Sequence, residues 1–202
     1  ADITIDITLP NYGIKGGATY KINGRNYIYA NGSYSTRAPY FEDIFVSPRT
    51  RNSAIADPKN EKIASVESGY VLNTPRVKAR LSGYLTKFND LTQTLTFYHD
   101  VYRNNVNYTL TDIDKINFGG ELGIEAKIYK GLTASLAATV GRYYYTSRQK
   151  ATVTVDNSSD VLASDEVIFS KFFKVGGTPQ TAATLGFNYR SPKYWFVSAN
   201  VN

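Results

Sequence analysis

The chain has no cysteine, no methionine, a single histidine and a single tryptophan. Without cysteine there are no disulfides, no thiolate nucleophile and no zinc site built on sulfur ligands. No apolar run approaches the ~18 residues that a membrane-spanning helix requires. That excludes helical spans but not a β-barrel, whose strands cross with about 9–11 residues of alternating character. Lys and Arg outnumber Asp and Glu by 23 to 17, but they are scattered along the chain rather than gathered in a patch, which speaks against nucleic-acid binding.

Tyrosine is abundant instead. There are 17 Tyr in 202 residues, and aromatics make up 14% of the chain. Rings with one apolar end and one wet end suit a water–apolar boundary, including the aromatic girdles of a membrane barrel. The chain is also 42% hydrophobic and 20% charged, which argues against disorder of the whole.

Connections alternate between very short and very long. Asn23-Gly24-Arg25, Thr74-Pro75-Arg76, Tyr129-Lys130-Gly131 and Ser191-Pro192-Lys193 read as tight turns, while 37–60, 90–115 and 147–180 read as long polar loops. Each tight turn joins two stretches of period-two character. In the first, Ile14, Gly16, Ala18 and Tyr20 alternate with Lys15, Gly17, Thr19 and Lys21. The clearest runs from Val77 to Thr86, where Val, Ala, Leu, Gly and Leu alternate with Lys, Arg, Ser, Tyr and Thr. Further stretches cover 28–35, 61–73, 116–129, 132–146, 181–190 and 194–202. About eight long strands in four hairpins are therefore expected. Tight turns at one end and long loops at the other are the habit of membrane β-barrels. Two other readings stay open: a complete eight-stranded barrel with a structural or adhesive role, which requires 14–22 to pair with 194–202, and a soluble β-sandwich binding module.

Several segments resemble TonB-dependent outer-membrane receptors. They are Tyr34-Ser-Thr-Arg-Ala-Pro-Tyr-Phe-Glu-Asp-Ile-Phe45, Asn60-Glu-Lys-Ile63 followed by Glu67-Ser-Gly-Tyr70, Ala79 to Asp90, and Asn117-Phe-Gly-Gly-Glu-Leu-Gly-Ile-Glu125. Asn60 departs from the proline more usual there. The stretch Phe45 to Asn52 resembles the Bacteroidetes-type branch. The resemblance implies an all-β, antiparallel transmembrane β-barrel segment, about eight strands of a 22-stranded barrel, with 1–202 a partial barrel domain. The final residues fall inside an apparent strand, and a bare edge in hydrocarbon is not tolerated, so a longer protein is expected.

The implied role is active nutrient uptake at the outer membrane of a Gram-negative bacterium. The implied partners are membrane lipid, the TonB-ExbB-ExbD complex acting through a plug outside this chain, a small-molecule or oligomeric nutrient, and a surface lipoprotein of the SusD-like kind. No cofactor, metal or catalytic residue is expected. His99 beside Asp100 is too slight a basis for a triad, since triads are defined by geometry. Ligand-binding candidates in the long loops are Arg49, Arg51, Tyr98, His99, Tyr102 and Arg103, because Arg and aromatic side chains make large, stiff contacts. Glu67, Lys78, Arg80, Glu121 and Glu125 are expected to face the lumen or plug and to pair there, since lipid offers a charge no partner.

Overall fold

The computed structural model describes residues 6–45, 53–156 and 160–202. The strands are β1 (Gly13–Lys21), β2 (Asn26–Arg37), β3 (Glu61–Asn73), β4 (Val77–His99), β5 (Asn104–Tyr129), β6 (Leu132–Tyr145), β7 (Gln149–Val155), β8 (Val161–Ile168), β9 (Thr181–Arg190) and β10 (Phe196–Val201), with a single helical turn, α1 (Phe41–Ile44). Eight of them form one antiparallel sheet in the order β1-β2-β3-β4-β5-β6-β9-β10. The expected turns fall between β1 and β2, β3 and β4, β5 and β6, and β9 and β10, all at one end of this sheet. Gly131 takes φ +77° in its turn and packs against the Arg190 carbonyl, a place with no room for a side chain.

β1 and β10 are the two ends of the sheet and do not pair with each other, so the closure a self-contained eight-stranded barrel requires does not occur. Nor, among the described residues, does a second sheet cover the first; strands pack only on their hydrogen-bonded neighbours, which speaks against the β-sandwich reading.

Cross-strand register fixes the two faces, because paired residues project to the same side. One row runs Tyr20, Ile28, Tyr70, Leu81, Leu122, Ala138 and Ala183. These side chains lie open: Tyr20 is 71% exposed and Leu81 56%. A soluble protein would cover such a face; a barrel turns it to lipid. The fold is a segment of transmembrane β-barrel wall. Along β4 the apolar stretch from Val77 to Lys87 spans about 33 Å, which at barrel tilt gives the ~25 Å height of a lipid-facing band.

The segment 90–115 is not the loop the sequence suggested. β4 and β5 continue past the wall as one hairpin, pairing from Val77↔Ala126 to His99↔Asn104, with only 100–103 as its turn. Two register shifts, between Phe88 and Leu91 and between Leu91 and Gln93, separate wall from extension. Asp90 (φ 58°) and Asp112 (φ 53°) sit there in the left-handed region, one on each strand. Bulges of this kind bend a strand and reset its alternation. The 147–180 segment is likewise only partly loop: β7 pairs with β5 from Val106↔Val155 to Thr111↔Lys150, and β8 pairs with β7.

The apolar core lies in this extension. Val106 is 1% exposed, Ala151 3% and Ile113 5%, with Leu91, Val153 and the α1 residue Ile44 also buried. The 37–60 segment brings α1 back against β4, where Asp43 Oδ1 accepts the Thr94 N–H at 2.7 Å. Burial pushes the Asp43 carboxyl above its ordinary pKa, against the lowering effect of that hydrogen bond.

Candidate functional site

A cavity of about 370 Å³ opens where the three long connections meet. One wall is the threonine face of the extended hairpin and β7. Register puts Thr94, Thr109 and Thr152 in one row and Thr96, Asn107 and Thr154 in the next. Thr94 and Thr109 hydroxyls lie 3.2 Å apart, Thr96 Oγ1 donates to Asn107 Oδ1 at 2.6 Å, and Asn107 Nδ2 donates to Asp156 at 2.9 Å. The second wall is the chain from Ser53 to Lys59, tied to α1 by the Ile55 N–H donating to the Ile44 carbonyl at 2.9 Å. The third is β8, through Val161, Ser164 and Asp165.

Charges sit at the mouth. The bulge at Asp112 aims its carboxylate between two ammonium groups, Lys150 at 3.1 Å and Lys59 at 3.6 Å. The hydrogen bond from Lys150 holds the Asp112 carboxyl below the ordinary carboxylate range, with partial burial opposing and Lys59 assisting. A carboxyl whose folded pKa is depressed contributes stability above its unfolded pKa and loses it as pH falls through the folded value. The clamp joining β5, β7 and the 53–59 segment therefore holds at neutral pH and releases in acid below the ordinary 3.8. Asp112→Asn is expected to lower the pH 7 melting temperature and to erase part of the acid-induced loosening, as read by protease sensitivity of the 147–180 segment between pH 7 and pH 3. An unchanged acid profile would mean that the clamp contributes nothing.

One buried polar atom in the cavity lacks a partner. Thr154 is 5% exposed, and its Oγ1 has no hydrogen bond among the described residues. Buried hydroxyls are ordinarily satisfied. This one lines a space large enough for a small polar molecule.

The candidates named from sequence fall elsewhere. Arg49 and Arg51 lie outside the described residues, as does most of the Phe45–Asn52 stretch. Tyr98, His99, Tyr102 and Arg103 gather at the hairpin tip. His99 and Tyr102 rings stand 4.9 Å apart, and Arg103 takes φ 49° in the turn. They do not line the cavity. His99 Nδ1 has no hydrogen-bond partner among the described residues, so nothing orients it as a catalytic base. Asp112, in the left-handed region at φ 53°, and Asp114 make separate contacts, Asp112 with Lys59 and Lys150. Asp114 instead accepts the Asp90 N–H at 3.0 Å. Among the described residues no group of three or more His, Cys, Asp or Glu could hold a metal.

The polar face of the wall carries the other named set. Arg80 reaches Glu67 at 2.6 Å and the Tyr29 hydroxyl at 2.7 Å, while Lys78 stands 3.9 Å from Glu125. Glu121 lies on the same face, between Ser82 and Thr139. Tyr84 and Tyr143 join hydroxyls at 2.8 Å across the glycines of β5 and β6.

No protein-family signature matches the chain, and no curated protein matches it either. Among solved structures, the copper transporter OprC superposes with a TM-score of 0.55 at 18% identity, over 91% of this chain and 32% of its own. The toluene transporter TodX of P. putida aligns at 0.48 and 14% identity, over 93% of this chain and 53% of its own. The chain thus spans about a third of the length of OprC, and the likeness to OprC is one of fold, a transmembrane β-barrel wall.

Proposed function

We propose that this chain is wall and ligand-facing surface of a TonB-dependent outer-membrane receptor of the Bacteroidetes type, taking up a nutrient across the outer membrane of a Gram-negative bacterium. The observation that carries the reading is the asymmetry of the sheet. Tight turns close one end, while the other continues into a folded assembly that encloses a polar cavity. Such asymmetry matches short periplasmic turns and elaborated extracellular connections. The TonB assignment rests on the sequence segments around Tyr34–Phe45, Asn60–Tyr70, Ala79–Asp90 and Asn117–Glu125.

In this reading the eight wall strands are part of a 22-stranded barrel. Glu67, Lys78, Arg80, Glu121 and Glu125 face its lumen or plug, and the cavity beside Asp112 together with the tip around His99 faces the nutrient. The plug and the TonB-ExbB-ExbD complex supply the energy coupling, and a SusD-like lipoprotein is the proposed surface partner. No reaction is assigned to the chain. The test is nutrient-limited growth of cells carrying the intact receptor, with and without a functional TonB system. Growth that depends on both the receptor and TonB is expected; uptake that persists without TonB would reduce the barrel to a passive pore.

The cavity makes its own prediction. Replacing a hydroxyl that lacks a partner should be harmless, whereas replacing one that is bonded is not. Thr154→Val is expected to leave urea stability within about 0.5 kcal/mol of wild type or to raise it, while Thr109→Val, which loses the bond to Thr94, costs about 1 kcal/mol. Equal losses would place a bonded water or side chain on Thr154 rather than an open acceptor site.

A further inference from the structure

The walls of the polar cavity differ in character. On the threonine face, Thr92, Thr109 and Thr154 are buried, and each hydroxyl is both donor and acceptor. Thr154 lies in the row of Thr96 and Asn107, is 5% exposed, and its Oγ1 bonds to nothing among the described residues. A hydroxyl buried in that way is costly, so a ligand that bonds it recovers what folding gave up. The other two walls are partly apolar, through Ala54, Ile55 and Val161. A molecule matching all three walls carries hydroxyls on one side and C–H groups on the other, which is the make-up of a sugar ring. At about 370 Å³ the cavity sits near the small end of ligand pockets, so it takes one ring and not a chain of them.

Charge narrows the ligand further. Both ammonium groups in the cavity are spent: Lys150 on Asp112, and Lys59 between Asp112 and Asp57, the latter at 3.4 Å. Asp165, also in the lining, forms no ion pair among the described residues. No cation is left to receive an anion. The register then decides which side of the sheet the cavity occupies. From Phe88 to Leu91, β4 advances three residues against two on β5; from Ile113 to Leu110, β5 advances three against two on β4. One extra residue on each strand reverses its alternation. Leu85 and Phe118 share the apolar side below the shifts, and above them that side passes to Thr94, Thr109 and Thr152. The ion pair at the mouth agrees. Asp90 lines the cavity and meets Lys62 at 2.7 Å, and Lys62 stands two residues from Ala64, in the row of Ile14 and Tyr34 on the apolar side.

We infer that the cavity is a binding site for a single polyhydroxylated ring bearing no negative charge, held on the outer side of the wall, beside the lumen and not in it, with Thr154 as its buried contact. The inference rests on the barrel reading for what lies on either side of the sheet. It holds whether or not the ligand is the nutrient and whether or not TonB drives uptake.

The test uses the intact receptor that contains this wall, purified in detergent, with saturation-transfer NMR titrations of glucose, galactose and mannose, of their 2-amino forms and of their uronates. Saturable binding of at least one hexose or amino sugar is expected, with the matching uronate at least about tenfold weaker because it brings a carboxylate among carboxylates. Thr154→Val is expected to weaken that hexose about fivefold, the worth of one neutral hydrogen bond. Val101→Ser, in the exposed hairpin turn, should bind as wild type does. A bulky maleimide on Ser164→Cys, at an exposed position of β8 in the cavity wall, should block binding. Heat-modifiable migration on gels reports that each variant is a folded barrel, and protease resistance of 147–180 that its extension is intact. Uronates bound as tightly as hexoses, no saturable binding of any uncharged or amino ring, a folded Thr154→Val with wild-type affinity, or a Ser164 label without effect would each overturn the inference. None of these readings involves growth or TonB, so the transport reading stands or falls separately.

Discussion

Gly119→Val is expected to prevent the wall from forming, whereas Gly120→Ala, one residue away, is expected to fold normally. A β-carbon at Gly119 would stand 2.5 Å from the Val140 carbonyl and 2.9 Å from the Gly141 Cα on β6, as well as 2.8 Å from the Tyr84 hydroxyl. The tyrosine can move; the two backbone atoms cannot without parting β5 from β6. In the bilayer a parted seam leaves N–H and C=O groups with no water to bond, each costing several kcal/mol. A loss of at least about 3 kcal/mol follows, enough to abolish heat-modifiable migration. At Gly120 the nearest atom is the Ser82 carbonyl at 3.5 Å, an ordinary contact, so Ala should stay within about 1 kcal/mol. If both variants fold alike, the β5–β6 register of Gly119↔Gly141 and Gly120↔Val140 is wrong.

The second large effect lies in the extension beyond the wall. Val106→Asp is expected to unfold the extension while leaving the wall in place. Val106 is 1% exposed, at the seam where β4, β5 and β7 meet through Phe97 and Val155. Its cross-strand neighbours Phe97 and Val155 offer a carboxylate no charge, and an unpaired buried charge costs several kcal/mol. Limited proteolysis should then cut within 90–115 and 147–180, with the membrane-embedded strands still protected. Val101→Asp, at a position 82% exposed in the hairpin turn, serves as control and should change stability by no more than about 0.5 kcal/mol. Collapse of the whole barrel on Val106→Asp would show that wall and extension fold as one unit.

The wall was legible in the sequence because period two and turn chemistry agree there. Val77 to Thr86 alternates without interruption, and Asn23-Gly24, Pro75, Gly131 and Pro192 stand where the chain reverses. The extension was harder to see. Thr94-Leu95-Thr96-Phe97 and Val106-Asn107-Tyr108-Thr109-Leu110 also alternate. Their polar members are threonine and asparagine, however, and Asp90 and Asp112 each interrupt the phase, so the region resembled loop. The β7 strand, Ala151-Thr-Val-Thr-Val155, carried the same signal.

The cavity had no local signature at all. Lys59, Asp112 and Lys150 are brought together only by the β5–β7 pairing and the fold of the 53–59 segment. His99 and Tyr102 were picked for their chemistry and do meet, but on a turn rather than in a pocket. Glu67, Lys78, Arg80, Glu121 and Glu125 share one side of the sheet, because alternation alone decides a side. Their partners, Arg80 with Glu67 and Lys78 with Glu125, needed the cross-strand register.

The extended hairpin also has a reach. From Phe88 to His99 twelve residues of β4 continue beyond the wall, which at the rise of a strand is about 40 Å. In the proposed orientation, whatever approaches the cell from outside, whether antibody or phage tail, would meet Val101 and Tyr102 before it met the rim. A peptide inserted at that turn would be held on a paired, core-backed mast rather than on a tether, making 100–103 the natural place to display an epitope.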